Sequence, residues 1–128
     1  MTSEKSSLES VRTAPIEEVD RRRHAVIVRL AGELDLHSVP DVRKTLLALT
    51  DEQPERFVID LSKVEFIDST ALGSLVEAKR LVESRGSSLY LAAPGVNVRR
   101  TLGISGLDGH LRVVESVEQA LDASHPEQ

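Results

Sequence analysis

The order of apolar and polar residues along the chain predicts an alternation of strands and amphipathic helices. Largely apolar runs of strand length lie at residues 25–30, 57–61 and 88–92, a pattern expected when both faces of a strand are covered. Apolar residues recur at steps of three and four within residues 39–49 and 71–82, with charged residues filling many of the other positions. That spacing is typical of helices that bury one face.

Capping and turn residues refine the ends of these elements. Residues suited to helix N-caps precede the predicted helices, at Ser38, Asp68, Ser69, Asn97 and Ser116. Gly86 can end the second helix in a left-handed conformation, and Gln119 completes a capping box with the serine three positions earlier. Gly32 predicts the end of the first clear strand, and the segment 103–106 predicts the end of a short third helix.

The element order defines the fold class. A weak strand within residues 13–19 precedes the first clear strand, and we interpret the basic run at residues 21–24 as a solvated turn between these two antiparallel strands. The later strands and helices alternate, which predicts an α/β domain with a mixed, mostly parallel sheet of about four to five strands and about four helices. We expect a disordered N-terminal tail at residues 1–12, one domain at residues 13–123 and a C-terminal tail at residues 124–128.

Composition argues against several functional classes. The 128 residues contain no cysteine, which excludes disulfides, thiolate metal ligands and a cysteine nucleophile. A formal net charge of −5 and an aromatic content of 2% argue against a nucleic-acid partner. The four histidines share no ligand spacing, so no metal or other cofactor is predicted. The apolar runs are too short to span a bilayer and no signal peptide is visible, so we expect a cytoplasmic protein without a membrane partner.

The triplet Asp68-Ser69-Thr70 is the candidate functional site, because it joins a buried strand to the second helix at the carboxyl end of a parallel strand. We expect Asp35, in the loop that leaves the first clear strand, to lie near it. The simplest interpretation is that Asp68 or Ser69 caps the helix. A serine-hydrolase elbow needs flanking glycines that this segment lacks. A phosphate-cradling glycine loop and a receiver domain phosphorylated on Asp60 also lack the neighbours they require.

Ser69 also fits a phosphorylation switch. A phosphate adds about 1.5 to 2 negative charges, and the free amides and dipole of a helix N-terminus tolerate such a group, so the fold can survive the change. A partner docked over Ser69 would instead meet a new hydrated charge beside Asp68. A hundredfold loss of affinity requires only about 2.7 kcal/mol, which burial of a phosphate against an unprepared surface can supply.

Several segments, in this order and spacing, resemble a known family. They are residues 32–35 (GELD), 58–61 (VIDL), 66–73 (FIDSTALG), 98–107 (VRRTLGISGL) and 117–121 (VEQAL). Together they resemble the anti-sigma factor antagonists, whose domain is called STAS, and the likeness extends over residues 25–123. The resemblance implies a single STAS-like domain with helices packed chiefly on one face of a mixed sheet. It also implies a regulator that is not an enzyme.

For function, the resemblance implies a bacterial partner switch. The unphosphorylated antagonist binds an anti-sigma factor that is also a serine kinase, the sigma factor is released, and phosphorylation ends the binding until a serine phosphatase restores it. The matching positions give Ser69 as the phospho-acceptor, with Thr70 as the less favoured neighbour. The partner-binding residues implied by the same match are Asp35, Asp68, Ser69, Thr70, Leu72 and Gly73.

Two features bear on the choice of partner. Ala71 stands where many family members have glycine, and we expect its added methyl group to crowd a closely approaching partner. Domains of this family also act as scaffold or accessory subunits in stress-signalling and lipid-transport assemblies. The presence of Ser69 directly after Asp68 favours the switch over that role.

Overall fold

The computed structural model describes residues 15–123, apart from the side chain of Asp108. The predicted tails at residues 1–12 and 124–128 lie outside the described residues. One sheet contains five strands: β1 Ile16–Arg21, β2 Ala25–Leu34, β3 Arg56–Ile67, β4 Ser88–Ala92 and β5 Arg112–Val114. Four α-helices accompany it: α1 Val39–Leu49, α2 Ser69–Ser84, α3 Val96–Ser105 and α4 Val117–Asp122.

The strands lie across the sheet in the order β1-β2-β3-β4-β5. β1 pairs antiparallel with β2, and the remaining neighbours pair in parallel. The antiparallel pair forms because the chain reverses in a tight turn, where the amide of Arg22 donates to the carbonyl of Ala25 at 2.7 Å, whereas each parallel pair requires a longer crossover. The predicted mixed, mostly parallel sheet is confirmed.

The two faces of the sheet carry separate apolar cores. On one face, alternate strand residues such as Val28 and Ile59 are buried against α1, α2 and α3. The buried stripe of α1 is the predicted one, Val39, Val42, Leu46 and Leu49. On the opposite face, Ile27 and Val58 belong to a smaller core that includes Ala120 of α4. Three helices thus cover one face and α4 the other, which confirms that the helices pack chiefly on one face.

β2 and β3 are longer than the sequence predicts. β2 does not end at Gly32, because this glycine adopts φ +86 and a register shift beside it lets the pairing with β3 resume as far as Leu34. β3 continues past residue 61 to Ile67, although β4 ends at Ala92, opposite Asp60. Beyond that point β2 is its one neighbour among the described strands, so polar residues are exposed there and interrupt the apolar run.

The prediction that the Ser38 side chain caps α1 is wrong. Ser38 occupies the N-cap position, but its hydroxyl makes no cap hydrogen bond. Instead the hydroxyl donates to the carbonyl of Glu33 at 2.9 Å and accepts from the amide of Asp35 at 3.0 Å. The Asp35 carboxylate accepts from the amides of His37 and Ser38 at 2.9 and 3.0 Å. Asp35, rather than Ser38, therefore satisfies the amides at the entry to the helix.

α3 differs from the prediction at both ends. It begins after Gly95, so Asn97 lies in the first turn rather than at the cap. It continues through Gly103 and ends where Gly106 takes the left-handed conformation, with φ +75. Two predicted boundaries are confirmed: Gly86 follows α2 with φ +95, and the hydroxyl of Ser116 accepts from the amide of Gln119 at 3.0 Å to cap α4.

Candidate functional site

Asp68 and Ser69 lie where β3 passes into α2, and they have different roles. Asp68 is the N-cap, because its Oδ1 accepts a hydrogen bond from the Ala71 amide at 2.8 Å and its carbonyl accepts from the Leu72 amide at 3.1 Å. Ser69 is the first residue of α2, and both it and Thr70 are exposed. Of the two predicted cap residues, Asp68 does the capping, which leaves the Ser69 hydroxyl at the surface.

Asp35 lies beside this junction. Leu34 and Ile67, the last residues of β2 and β3, are paired in the sheet, and the amide of Asp68 donates to the carbonyl of Leu34 at 3.1 Å. Asp35 and Asp68, which follow the two strand ends, consequently leave the sheet next to each other. The hydrogen bond from the Ser38 amide, above all, holds the pKa of the Asp35 carboxyl below its usual value, so this carboxyl is charged at neutral pH.

Leu72, Gly73 and Ala71 complete the first turn of α2. Leu72 is 0% exposed and belongs to the core, so it can act on a partner only by positioning this turn. Gly73 is half-buried, and a Cβ placed on it meets nothing within 4 Å. Ala71 is also 0% exposed. Its methyl group therefore faces the core and does not crowd a partner docked at Ser69.

Two exposed apolar residues lie near the junction, and the sequence pattern does not predict either of them as a site residue. Leu36 is 58% exposed and directly follows Asp35. Phe66 is 46% exposed and pairs with Glu33 across the two strands. The exposure of Leu36 can be predicted from its place in a polar loop. The exposure of Phe66 cannot, because its sequence context is that of a buried strand residue and its exposure depends on where β4 ends. We call the following residues the junction surface: Glu33, Asp35, Leu36, Phe66, Asp68 and Ser69.

Asp60 of β3 is a structural carboxylate rather than an exposed phospho-acceptor. It is 8% exposed, and it accepts hydrogen bonds from the Ser62 amide and from Arg29 Nη1, each at 2.9 Å. Burial alone would raise the pKa of Asp60, but these hydrogen bonds and the Arg29 charge outweigh it and hold the pKa below its usual value. Arg29 also bonds Glu18 at 3.0 Å and Asp20 at 3.3 Å, so the network joins β1, β2 and β3.

Other kinds of site find little support between residues 15 and 123. In that range there is no group of three or more histidines, aspartates and glutamates that could hold a metal ion. No helix there is sufficiently long and apolar to cross a membrane. Most of the basic run is paired with acids: Arg21 with Glu52 at 2.9 Å, Arg22 with Asp20 at 3.0 Å and His24 with Glu55 at 3.3 Å. This pairing supports a solvated turn rather than a nucleic-acid surface.

The fold and the junction define a small α/β domain whose candidate site is an exposed surface. The model of the STAS domain family matches residues 17–120, and the chain belongs to this family. Among curated proteins, an anti-sigma F factor antagonist of Paenibacillus polymyxa is 31% identical over 105 residues, or 81% of this chain and 90% of the relative. An anti-sigma-B factor antagonist of Staphylococcus epidermidis is 29% identical over 91 residues, or 71% of this chain and 84% of the relative.

Solved structures agree with this assignment. The anti-sigma factor antagonist SpoIIAA in its unphosphorylated form is 27% identical with a TM-score of 0.68, covering 82% of this chain and 92% of that one. An anti-sigma factor antagonist from Mycobacterium paratuberculosis is 27% identical with a TM-score of 0.72, covering 81% and 88%. The predicted family and STAS fold are confirmed. These relatives are named for antagonism of another protein rather than for a reaction, in agreement with the prediction of a non-enzymatic regulator.

Proposed function

We propose that this protein is an anti-sigma factor antagonist that binds its anti-sigma factor through the junction surface. The observation that carries the proposal is the division of roles at the start of α2, where Asp68 caps the helix and the Ser69 hydroxyl stays exposed. Relatives named as antagonists of anti-sigma F and anti-sigma-B factors support the role. Binding of the anti-sigma factor frees a sigma factor for RNA polymerase, and the protein acts in the cytoplasm.

The junction surface combines negative charge with apolar contact area. Glu33, Asp35 and Asp68 contribute carboxylates, and Leu36 and Phe66 expose 58% and 46% of their surface. Apolar anchors supply much of the affinity at protein interfaces, whereas complementary charge directs and accelerates docking. A partner that fits this surface presents an apolar patch bordered by lysine or arginine.

In this proposal the anti-sigma factor is also a serine kinase that phosphorylates Ser69. The Ser69 Oγ forms a bond to the γ-phosphorus of ATP, the bond from that phosphorus to the bridging oxygen breaks, and the hydroxyl proton passes to a base of the kinase. A serine phosphatase reverses the modification, with water replacing the serine oxygen on phosphorus. Thr70 is a second exposed hydroxyl at the same turn, which makes it the alternative acceptor.

Binding, rather than folding, is expected to respond to the phosphate. At the first position of α2 the helix dipole favours an anion, and the amides of Ser69 and Thr70 have no acceptor within the described part of the chain. A docked partner, however, would have to bury about 1.5 to 2 added charges next to Asp35 and Asp68. A hundredfold loss of affinity corresponds to about 2.7 kcal/mol, a modest fraction of the penalty for burying an uncompensated charge.

The test uses wild type, Ser69→Ala, Ser69→Asp and Thr70→Ala as bait in lysates of the source cells, with mass spectrometry to identify the captured proteins. Wild type, Ser69→Ala and Thr70→Ala should capture an ATP-binding anti-sigma factor, and Ser69→Asp should not. The captured factor with ATP should then phosphorylate wild type and Thr70→Ala but not Ser69→Ala.

Two outcomes would change the proposal. Phosphorylation of Ser69→Ala but not of Thr70→Ala would assign the acceptor to Thr70. Capture of scaffold or transporter subunits equally by all four baits would favour an accessory role over the switch.

A further inference from the structure

A cavity of about 330 Å³ lies between the second half of α2 and the segment that leads into β5. Buried Val76 and Leu111 line part of it. The helix rises about 1.5 Å per residue, so Lys79 and Arg80 at this cavity lie about 15 Å along α2 from Ser69. The cavity is therefore separate from the junction surface.

The charges at this cavity are predominantly positive. Lys79, Arg80 and Arg112 line it together with His110, and no acid is among the lining residues whose side chains the structure describes. Glu83 is the nearby counter-charge, since it bonds Lys79 at 3.3 Å and also bonds Arg112. Among the described side chains, Glu83 therefore pairs with two of the three permanent cations and leaves Arg80 without a partner, in a chain whose formal net charge is −5.

Two of the cations are held in place and the third is available. The Lys79 side chain is 19% exposed and is fixed by its bond to Glu83. The Arg112 guanidinium lies 5.9 Å from the centre of the Tyr90 ring, a cation–π distance, and it also bonds Glu83. Arg80 is exposed and has no hydrogen-bond or ion-pair partner among the side chains that the structure describes, which do not include that of Asp108. The cavity thus has a preorganised positive wall and, at its edge, a guanidinium that no described side chain pairs.

We propose that this cavity binds a small anion carrying at least two negative charges, the class that includes phosphate and phosphate esters. Guanidinium groups match oxyanions through paired N–H donors, and lysine adds a point charge. A monovalent anion would leave the excess positive charge largely uncompensated. The volume of about 330 Å³ lies at the lower end of the range of about 300 to 1,000 Å³ for small-molecule sites, which suits a ligand of this size.

This inference does not depend on the antagonist role. None of the cavity residues belongs to the junction surface, and none is an acceptor for phosphorylation. Arg80 is exposed on α2, so its replacement removes a charge without opening the core. Arg43 of α1 offers a matched control, because it is also exposed and has no ion-pair partner within the described residues.

The experiment titrates wild type, Arg80→Ala, Arg43→Ala and Ser69→Ala with inorganic pyrophosphate by calorimetry, and with acetate at matched ionic strength. Circular dichroism verifies that each variant is folded. We expect saturable binding of one pyrophosphate by wild type, no saturable binding of acetate, and a loss of affinity of about tenfold in Arg80→Ala. Arg43→Ala and Ser69→Ala should bind like wild type.

A second measurement locates the ligand. Pyrophosphate should shift the backbone amide resonances of Gly109 and His110 in wild type, and those shifts should shrink in Arg80→Ala. The absence of saturable pyrophosphate binding would overturn the proposal. Equal weakening in Arg80→Ala and Arg43→Ala would also overturn it, because the effect would then be one of diffuse surface charge.

Discussion

The amide of Asp68 donates a hydrogen bond to the carbonyl of Leu34 at 3.1 Å, which joins the end of β3 to the end of β2. The side chain of Asp68 meanwhile accepts from the amide of Ala71 at 2.8 Å. The main chain of Asp68 therefore extends the pairing of β3 with β2, and its side chain caps the start of α2. Ser69 follows directly, so its exposed hydroxyl lies next to a residue that is held by hydrogen bonds of both its main chain and its side chain.

Asp68→Ala should destabilise the protein by about 1 kcal/mol, because it removes the N-cap acceptor of α2. Asp68→Asn should stay within a few tenths of a kcal/mol of wild type, since an asparagine oxygen accepts the same hydrogen bond. Urea unfolding measures both, with Ser69→Ala as the control because Ser69 makes no cap bond. Equal stability of Asp68→Ala and wild type would mean that the cap contributes nothing measurable.

Ser69→Asp should leave the free energy of unfolding within about 1 kcal/mol of wild type, because the helix dipole favours a carboxylate at this position. The same variant should lose binding to the anti-sigma factor. Ser84→Asp is a matched control, since Ser84 is an exposed serine at the last residue of the same helix. It should retain binding. An unfolded Ser69→Asp protein would show that Ser69 is mainly structural.

The features that the sequence predicts well depend on local spacing. The buried stripe of α1 and the start of α2 after Asp68 follow from helical periodicity and cap chemistry, which neighbouring residues determine. The end of β2 and the end of β3 depend on pairing between distant segments, so neither Gly32 nor residue 61 marks a true boundary.

The same distinction between local spacing and long-range pairing applies to the candidate site. The position of Ser69 at a helix start can be predicted from sequence. The exposure of Phe66 cannot, because it depends on β4 ending opposite Asp60. The choice of Asp35 over Ser38 at α1 depends on the geometry of the preceding turn, since both residue types are good N-caps.

Asp60→Asn should destabilise the protein by about 1 to 3 kcal/mol at neutral pH, because the half-buried Arg29 loses the most buried of its three carboxylate partners. The pKa of Asp60 is lowered in the folded state. Its contribution to stability is therefore fully present above the ordinary aspartate pKa of about 3.9, and it is lost as the pH falls through the folded value. The difference between wild type and Asp60→Asn should thus shrink on acidification below about pH 4.

Urea unfolding of both proteins measures this difference in the free energy of unfolding. It is carried out at neutral pH and at about pH 3, two values that lie on either side of the ordinary aspartate pKa. Glu77→Gln is the control, because Glu77 is exposed on α2 and has no ion-pair partner within the described residues. It should differ little from wild type at either pH. If the difference in the free energy of unfolding between wild type and Asp60→Asn is the same at both pH values, the ionised carboxylate is not the source of the stabilisation.

Replacement of both Leu36 and Phe66 by alanine should weaken binding of the anti-sigma factor at least tenfold, or about 1.4 kcal/mol. The physical reason is that the exposed apolar side chains of the junction surface can become anchors that are desolvated on docking. Ile104→Ala is the matched control, because Ile104 is 79% exposed but lies near the C-terminal end of α3. Calorimetric titration of each variant with the captured anti-sigma factor measures the effect. If Ile104→Ala weakens binding and the double variant does not, the partner docks on α3 and the junction surface is not the interface.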